Sequence, residues 1–195
     1  MDIIISKYIG IRGTAILARE RYSELISRYP EWLIDEASCF DENLPEASND
    51  LEPIEDVRIA LENGAAYAKE YTEFGIFEAL FQMAKTLKCG IRVNIKDIPI
   101  KQETVEVCEF LGVNPYALFS GSSAVIVTED GARMISLLEE NGILGRIVGY
   151  TTKEDNDKIV INDEERGFLQ HIRKDELKNI LGRRDYHERT DSINC

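Results

Sequence analysis

Histidine, tryptophan and paired cysteine are scarce in this 195-residue chain, and each shortage removes a class of chemistry. The two histidines, His171 and His187, stand in a polar stretch without cysteine or acidic partners at zinc spacing, so they read as solvated surface groups. Cys39, Cys89, Cys108 and Cys195 are widely separated and form no Cys-x-x-Cys pair. That pattern excludes a zinc ribbon or dithiol centre and predicts reduced, mostly buried thiols. No apolar run approaches the roughly 18 residues of a membrane span, and Met1-Asp2-Ile3-Ile4-Ile5-Ser6-Lys7 lacks the basic flank of a secretion signal. The expected location is the cytoplasm, away from any membrane. Basic residues are also in the minority, 23 Lys and Arg against 36 Asp and Glu, for a net charge of -13. Such a surface cannot release counterions from nucleic acid, although a small phosphorylated ligand, which senses only charges within about 8 Å, is not excluded.

What remains is the composition of a globular domain, 44% hydrophobic and 30% charged. A chain of this size buries about 70% of its unfolded surface and folds without staples.

The order of elements follows from apolar spacing and from glycine and proline punctuation. Ile3 to Ile9 reads as a strand, and Gly10-Ile11-Arg12-Gly13 as a turn into a helix carrying Ala15, Ile16, Ala18, Tyr22, Leu25 and Ile26. Pro30 and Pro53 read as helix starts. A helix from Gly75 through Leu87 stops at Gly90 and gives way to the alternating strand Ile91, Val93, Ile95. Another runs from Pro99 to Gly112, followed by a short turn at Asn114-Pro115 and the strand Ala124 to Val127. Glu129 to Asn141 is helical, and the strands Arg146 to Thr151 and Lys158 to Ile161 are expected to form a hairpin across the turn Lys153 to Asp157. A short helix is expected near Asp175 to Leu181. Irregular alternation of helix and strand predicts an α+β fold, helices packed on a mixed sheet, with residues 1–165 as the domain and 166–195 as a charged extension.

Glu31, Asp35, Glu36, Asp41, Glu42, Glu46, Asp50, Glu52, Glu55 and Asp56 form an acidic stretch without calcium-loop spacing, which predicts solvated helix faces. Ser120-Gly121-Ser122 offers hydroxyls and amides to an anion but lacks nucleophile-elbow spacing, and a strand-entry turn is the better reading of it.

Five segments taken in order carry a resemblance: Gly10-x-x-Gly13-Thr14-Ala15-Ile16-Leu17-Ala18, Thr72-Glu73-x-Gly75, Ile98-Pro99-Ile100, Leu111-Gly112-x-Asn114-Pro115 and Ser120-Gly121-Ser122. They resemble the C-terminal domain of the aminoimidazole ribonucleotide (AIR) synthetase superfamily, from about Ile3 to Ile161. The resemblance is to the branch of the hydrogenase maturation factor that dehydrates a carbamoyl group to a nitrile. It implies a PurM C-terminal domain-like fold whose relatives carry an N-terminal domain for ATP and magnesium, and this chain begins where that domain would have ended. It also implies a phosphate loop, Asp-x-Thr-x-Gly-Gly in the family, which here reads Glu70-Tyr71-Thr72-Glu73-Phe74-Gly75. Thr72 and Gly75 match, Glu70 replaces Asp, and Phe74 replaces the first Gly. If that position needs positive φ, Phe costs roughly 1 to 2 kcal/mol and crowds the anion, so the loop is expected to be retained in shape and eroded in function.

The candidate ligand-binding residues are therefore Glu70, Thr72, Gly75, Ser120, Gly121 and Ser122, with no metal ligand, cofactor or catalytic residue assigned. The relatives end in a cysteine that carries the carbamoyl group, but Cys195 shares with them only its terminal position and a nearby isoleucine, and is expected to be unconstrained. The resemblance implies a stand-alone binding or assembly module with weak affinity for a phosphorylated small molecule, not catalytic alone. The alternative is one half of a split ATP-dependent enzyme. The expected partner is a second copy, paired through an exposed Ile3-Ile4-Ile5 edge, or a separate nucleotide-binding protein.

Overall fold

The protein is described from a computed structural model at residues 1–42, 44, 53–71, 73–154, 157–169, 171–172 and 174–181. Its strands are β1 (Asp2–Ser6), β2 (Tyr67–Tyr71), β3 (Gly90–Asn94), β4 (Ser123–Thr128), β5 (Gly145–Thr152), β6 (Lys158–Asn162) and β7 (Glu165–Phe168). Its helices are α1 (Ile11–Glu20), α2 (Tyr22–Leu25), α3 (Glu31–Ser38), α4 (Glu55–Glu62), α5 (Gly75–Leu87), α6 (Gln102–Leu111) and α7 (Gly131–Glu140), with a further helical stretch at residues 176–181. The strands form one sheet in the order β2-β4-β1-β5-β3-β6-β7, antiparallel throughout except for the parallel pair β3 and β6. This is the expected α+β architecture of helices on a mixed sheet.

The period-two alternation of the strands divides the core. Ile3, Ile5, Ile91, Val93, Val125 and Val127 meet Ile76, Leu80 and Met83 of α5 on one face. Ile4, Ala124 and Ile126 meet Val57 and Ala60 of α4 and Met134 and Leu138 of α7 on the other. A third cluster gathers α1, α3 and α6 around Leu17, Ile34, Val107 and Leu118, and Leu177 and Leu181 complete it.

Two expectations of pairing are overturned. The triplet Ile3-Ile4-Ile5 is not an open edge, because β1 lies between β4 and β5 and all three side chains are fully buried. An unbroken isoleucine run marks a strand covered on both faces, which is why it belongs in the middle. β5 and β6 do not form a hairpin, since β3 is inserted between them. The main chain after β5 crosses the start of β3, where Ile91 N donates to Asp157 O at 2.8 Å. Glycines permit the crossing: a Cβ on Gly90 would stand 2.1 Å from Glu154 O, and one on Gly149 would stand 2.0 Å from Arg92 O.

Two strands lay outside the expectation. β2 is an edge strand whose Lys69 and Glu70 mask the alternation of Tyr67 and Tyr71, and β7 is exposed at every position. The expected boundary after residue 165 falls inside β7, and Leu169, Leu177 and Leu181 beyond it enter the cores. Cys89 and Cys108 are buried, the Cys108 thiol being pushed up to about 12 by burial and by nearby Glu176, whereas Cys39 is exposed. No helix among the described residues is long and apolar enough to cross a membrane.

Candidate functional site

The turn from β2 into α5 places most of the expected loop. Phe74 has φ 64° and ψ 5°, a left-handed backbone that glycine adopts freely and phenylalanine does not, and Gly75 follows at φ 67°. Gly75 has a second reason to be glycine, because a Cβ there would stand 2.5 Å from Tyr116 O. The turn at Pro115–Ala117, capped by the Asn114 side chain accepting from Tyr116 N at 3.0 Å, is thus the seat of the α5 start. Phe77 on the first turn of α5 stacks on Tyr116 with centroids 4.9 Å apart. Thr72 lies outside the described residues.

The serine motif lies beside the loop because β4 pairs with β2, and Ser122 N donates to Glu70 Oε1 at 2.9 Å. Gly121 and Ser122 both have positive φ, 66° and 58°, and a Cβ on Gly121 would meet the Arg12 side chain at 2.3 Å. The polar groups of this turn face inward. Ser120 Oγ accepts from Gly10 N at 2.8 Å, Ser120 O accepts from Arg12 N at 3.1 Å, and Phe119 O accepts from Gly13 N at 2.9 Å. The first N–H groups of α1 are therefore answered by the chain itself, and the Gly10 and Ser120 segments complete each other. Ser123 Oγ donates to Tyr8 O at 2.9 Å.

Between β2 and α5 opens a cleft of about 560 Å³ lined by Tyr67, Lys69, Glu70, Phe74, Glu78 and Gln82, among others. Burial raises the Tyr71 phenol above its ordinary pKa, and its hydroxyl makes no hydrogen bond of normal geometry among the described residues. Of the expected residues Glu70 lines this cleft, Gly75 is buried against the turn at Tyr116, and Ser120 and Gly121 belong to the α1 cap.

Three features of the site were not legible beforehand. The first is Asp175, fully buried, whose Oδ2 accepts from Phe74 N at 2.8 Å while Oδ1 accepts from Leu177 N at 2.8 Å. Burial raises this carboxyl to about 6, and the two backbone N–H bonds act in the opposite direction. The second is His171, expected as a solvated histidine, whose Nδ1 lies 2.7 Å from Glu78 Oε2 and whose ring stacks on Phe81 at 4.8 Å. His187 and Cys195 lie outside the described residues. The third is Asp56, expected on a solvated face but fully buried, where it accepts from Ser6 Oγ at 2.5 Å and pairs with Lys7 Nζ at 2.7 Å. A buried carboxylate requires such partners, and this one ties α4 to the end of β1.

Comparison with known proteins places this geometry. Residues 2–162 match the family described as AIR synthase related protein, C-terminal domain. The chain is 31% identical over 165 residues to a putative hydrogenase expression/formation protein of Methanocaldococcus jannaschii, covering 81% of this chain and 44% of that protein. Among solved structures it resembles Escherichia coli HypE, with a TM-score of 0.65 and 17% identity over 92% of this chain and 52% of that one. The hydrogenase maturation protein HypE in complex with ATP is similar at the same TM-score of 0.65 and 15% identity, over 90% of this chain and 52% of that one. At these identities the structures establish the fold, and the chain spans about half the length of the proteins it matches.

Proposed function

The chain belongs to the family of AIR synthase related proteins, C-terminal domain, related to the hydrogenase maturation proteins, and from that premise we propose that it is a binding or assembly module with weak affinity for a phosphorylated small molecule. The observation that carries this reading is the start of α5. There two consecutive left-handed residues open a 13-residue helix, and the Phe74 N–H already holds a carboxylate oxygen at 2.8 Å. A backbone N–H at a helix start, reinforced by the helix dipole, suits a phosphate oxygen as it suits this carboxylate. The adjoining cleft has the volume for a small ligand beyond the anion.

The module acts in the cytoplasm and pairs with a second copy or with another protein. Its apolar strands being internal, a second copy would meet it elsewhere than at β1. A second reading, supported by the fold shared with the hydrogenase maturation protein HypE in complex with ATP, joins it to a nucleotide-binding domain, with Glu70, Thr72 and Gly75 at the shared site.

The test is a titration of the ¹⁵N-labelled chain with inorganic pyrophosphate, following the amides of Phe74, Gly75 and Ile76. Saturable shifts confined to this turn in the millimolar range are expected, together with no ATP turnover above background by the chain alone. Unmoved amides at saturating pyrophosphate would remove the phosphate reading, and turnover that tracks the protein peak through purification would remove the non-catalytic one.

A further inference from the structure

The anion position at the start of α5 is already occupied by the chain's own C-terminal segment. Asp175, 101 residues away in sequence, places Oδ2 on Phe74 N. The same segment grips α5 and the turn before it at three more points: His171 on the Glu78 carboxylate, Ile172 N donating to Glu78 Oε2 at 3.1 Å, and Lys178 Nζ 3.7 Å from Glu73 Oε2. Lys178 also lies over the Phe74 ring, 5.6 Å from its centroid. On the side away from α5, Leu177 and Leu181 fasten the segment into the helical cluster.

One N–H cannot serve two anions at once, so a phosphate oxygen and the Asp175 carboxylate compete for Phe74 N. We infer that the segment carrying His171, Asp175 and Lys178 is a built-in cover of the α5 start, with Asp175 standing where a ligand's phosphate oxygen would bind. The ligand then binds only those molecules in which the segment has lifted. This rests on the reading of the α5 start as an anion position.

The electrostatics make the cover removable. Burial of the Asp175 carboxylate opposes its charged form, and Glu73 adds repulsion, while the two N–H bonds and Lys178 favour it. The pair of His171 on the segment and Glu78 on α5 lies one helical turn further on. A docked segment held by such opposing contributions opens more readily than an apolar one of equal length. If it is lifted in between one in ten and one in a hundred molecules, the apparent affinity falls by about the same factor.

The experiment compares pyrophosphate binding to the full chain as wild type, Asp175→Ser and Leu177→Ala, read at the Phe74 and Gly75 amides. Serine still caps Leu177 N but is too short to reach Phe74 N, and alanine at 177 loosens the anchor while keeping the carboxylate. Both variants should bind at least about tenfold more tightly. A measurement that needs no variant runs in parallel: pyrophosphate should accelerate amide hydrogen exchange across residues 174–181 of the wild-type chain, because coupling between cover and ligand is reciprocal. Equal affinity in all three chains, or unchanged exchange at concentrations that shift Phe74, would overturn the cover while leaving the anion site standing. Absence of binding in every form would overturn both.

Discussion

Phe74 offers the sharpest test of the backbone reasoning, because its left-handed conformation opposes its side chain. Replacing it with Gly and with Ala removes the ring equally in both variants, including its contact with Lys178 at 5.6 Å. The two differ only at the backbone. At φ 64° an alanine Cβ costs about 1 to 2 kcal/mol that glycine does not pay. Glycine gives back about 0.4 to 1 kcal/mol through the greater freedom of its unfolded chain. F74G should therefore be more stable than F74A by roughly 0.5 to 1 kcal/mol, a reversal of the usual order, in which alanine exceeds glycine by about 1 kcal/mol inside a helix. Urea denaturation followed by far-UV circular dichroism measures the difference as a shift in midpoint at constant slope. In a chain of this size about 1 kcal/mol also moves the thermal midpoint by roughly 2 to 4 °C. An F74A variant as stable as F74G, with equal slopes, would refute the assignment of Phe74 to the left-handed region.

Two further outcomes follow from other parts of the molecule. The folded pKa of Asp175, about 6, lies above its ordinary value of 3.8, so the folded chain holds the extra proton between those values. This group's contribution is complete below about pH 4 and is lost as pH rises through about 6; relative to the wild type, D175N should gain on the order of 2 to 3 kcal/mol between pH 4 and 7, and a flat difference in chemical denaturation would exclude the raised pKa. In the sheet, G149A forces a Cβ to within 2.0 Å of Arg92 O and should cost about 3 kcal/mol or more, whereas G167A, with nothing within 4 Å, should stay within about 0.5 kcal/mol. Similar thermal midpoints for the two would contradict the insertion of β3 against β5.

The candidate site was legible where glycine punctuated it. Gly75 marked the start of α5 and Gly112 the end of α6, where it sits at φ 67° as the left-handed cap. The Gly10 and Ser120 segments were visible as motifs, but a motif does not say what it touches. Their role as mutual caps, with Ser120 Oγ on Gly10 N, depends on a contact spanning 110 residues. Asp175 was legible only as the start of a short helix in a charged extension, and only docking of that segment revealed it as the partner of Phe74 N. Asp56 stood in a run of acids whose shared composition hid its burial beside Lys7.

By itself the sequence determined the local elements and the fold class. Helical spacing in α1, α5, α6 and α7, and the uninterrupted apolar runs of β1 and β4, are properties of neighbouring residues and the one core they can share. The tertiary structure alone decided which strands are neighbours. β5 and β6, adjacent in sequence, are parted by β3, because the connection between them can pass over Gly90 and because Gly149 lets β3 approach closely. It also decided which anion meets the α5 start. Pairing of that kind is fixed by contacts between residues far apart in the chain, whose gain appears only after the intervening loops have closed, and no local pattern records it.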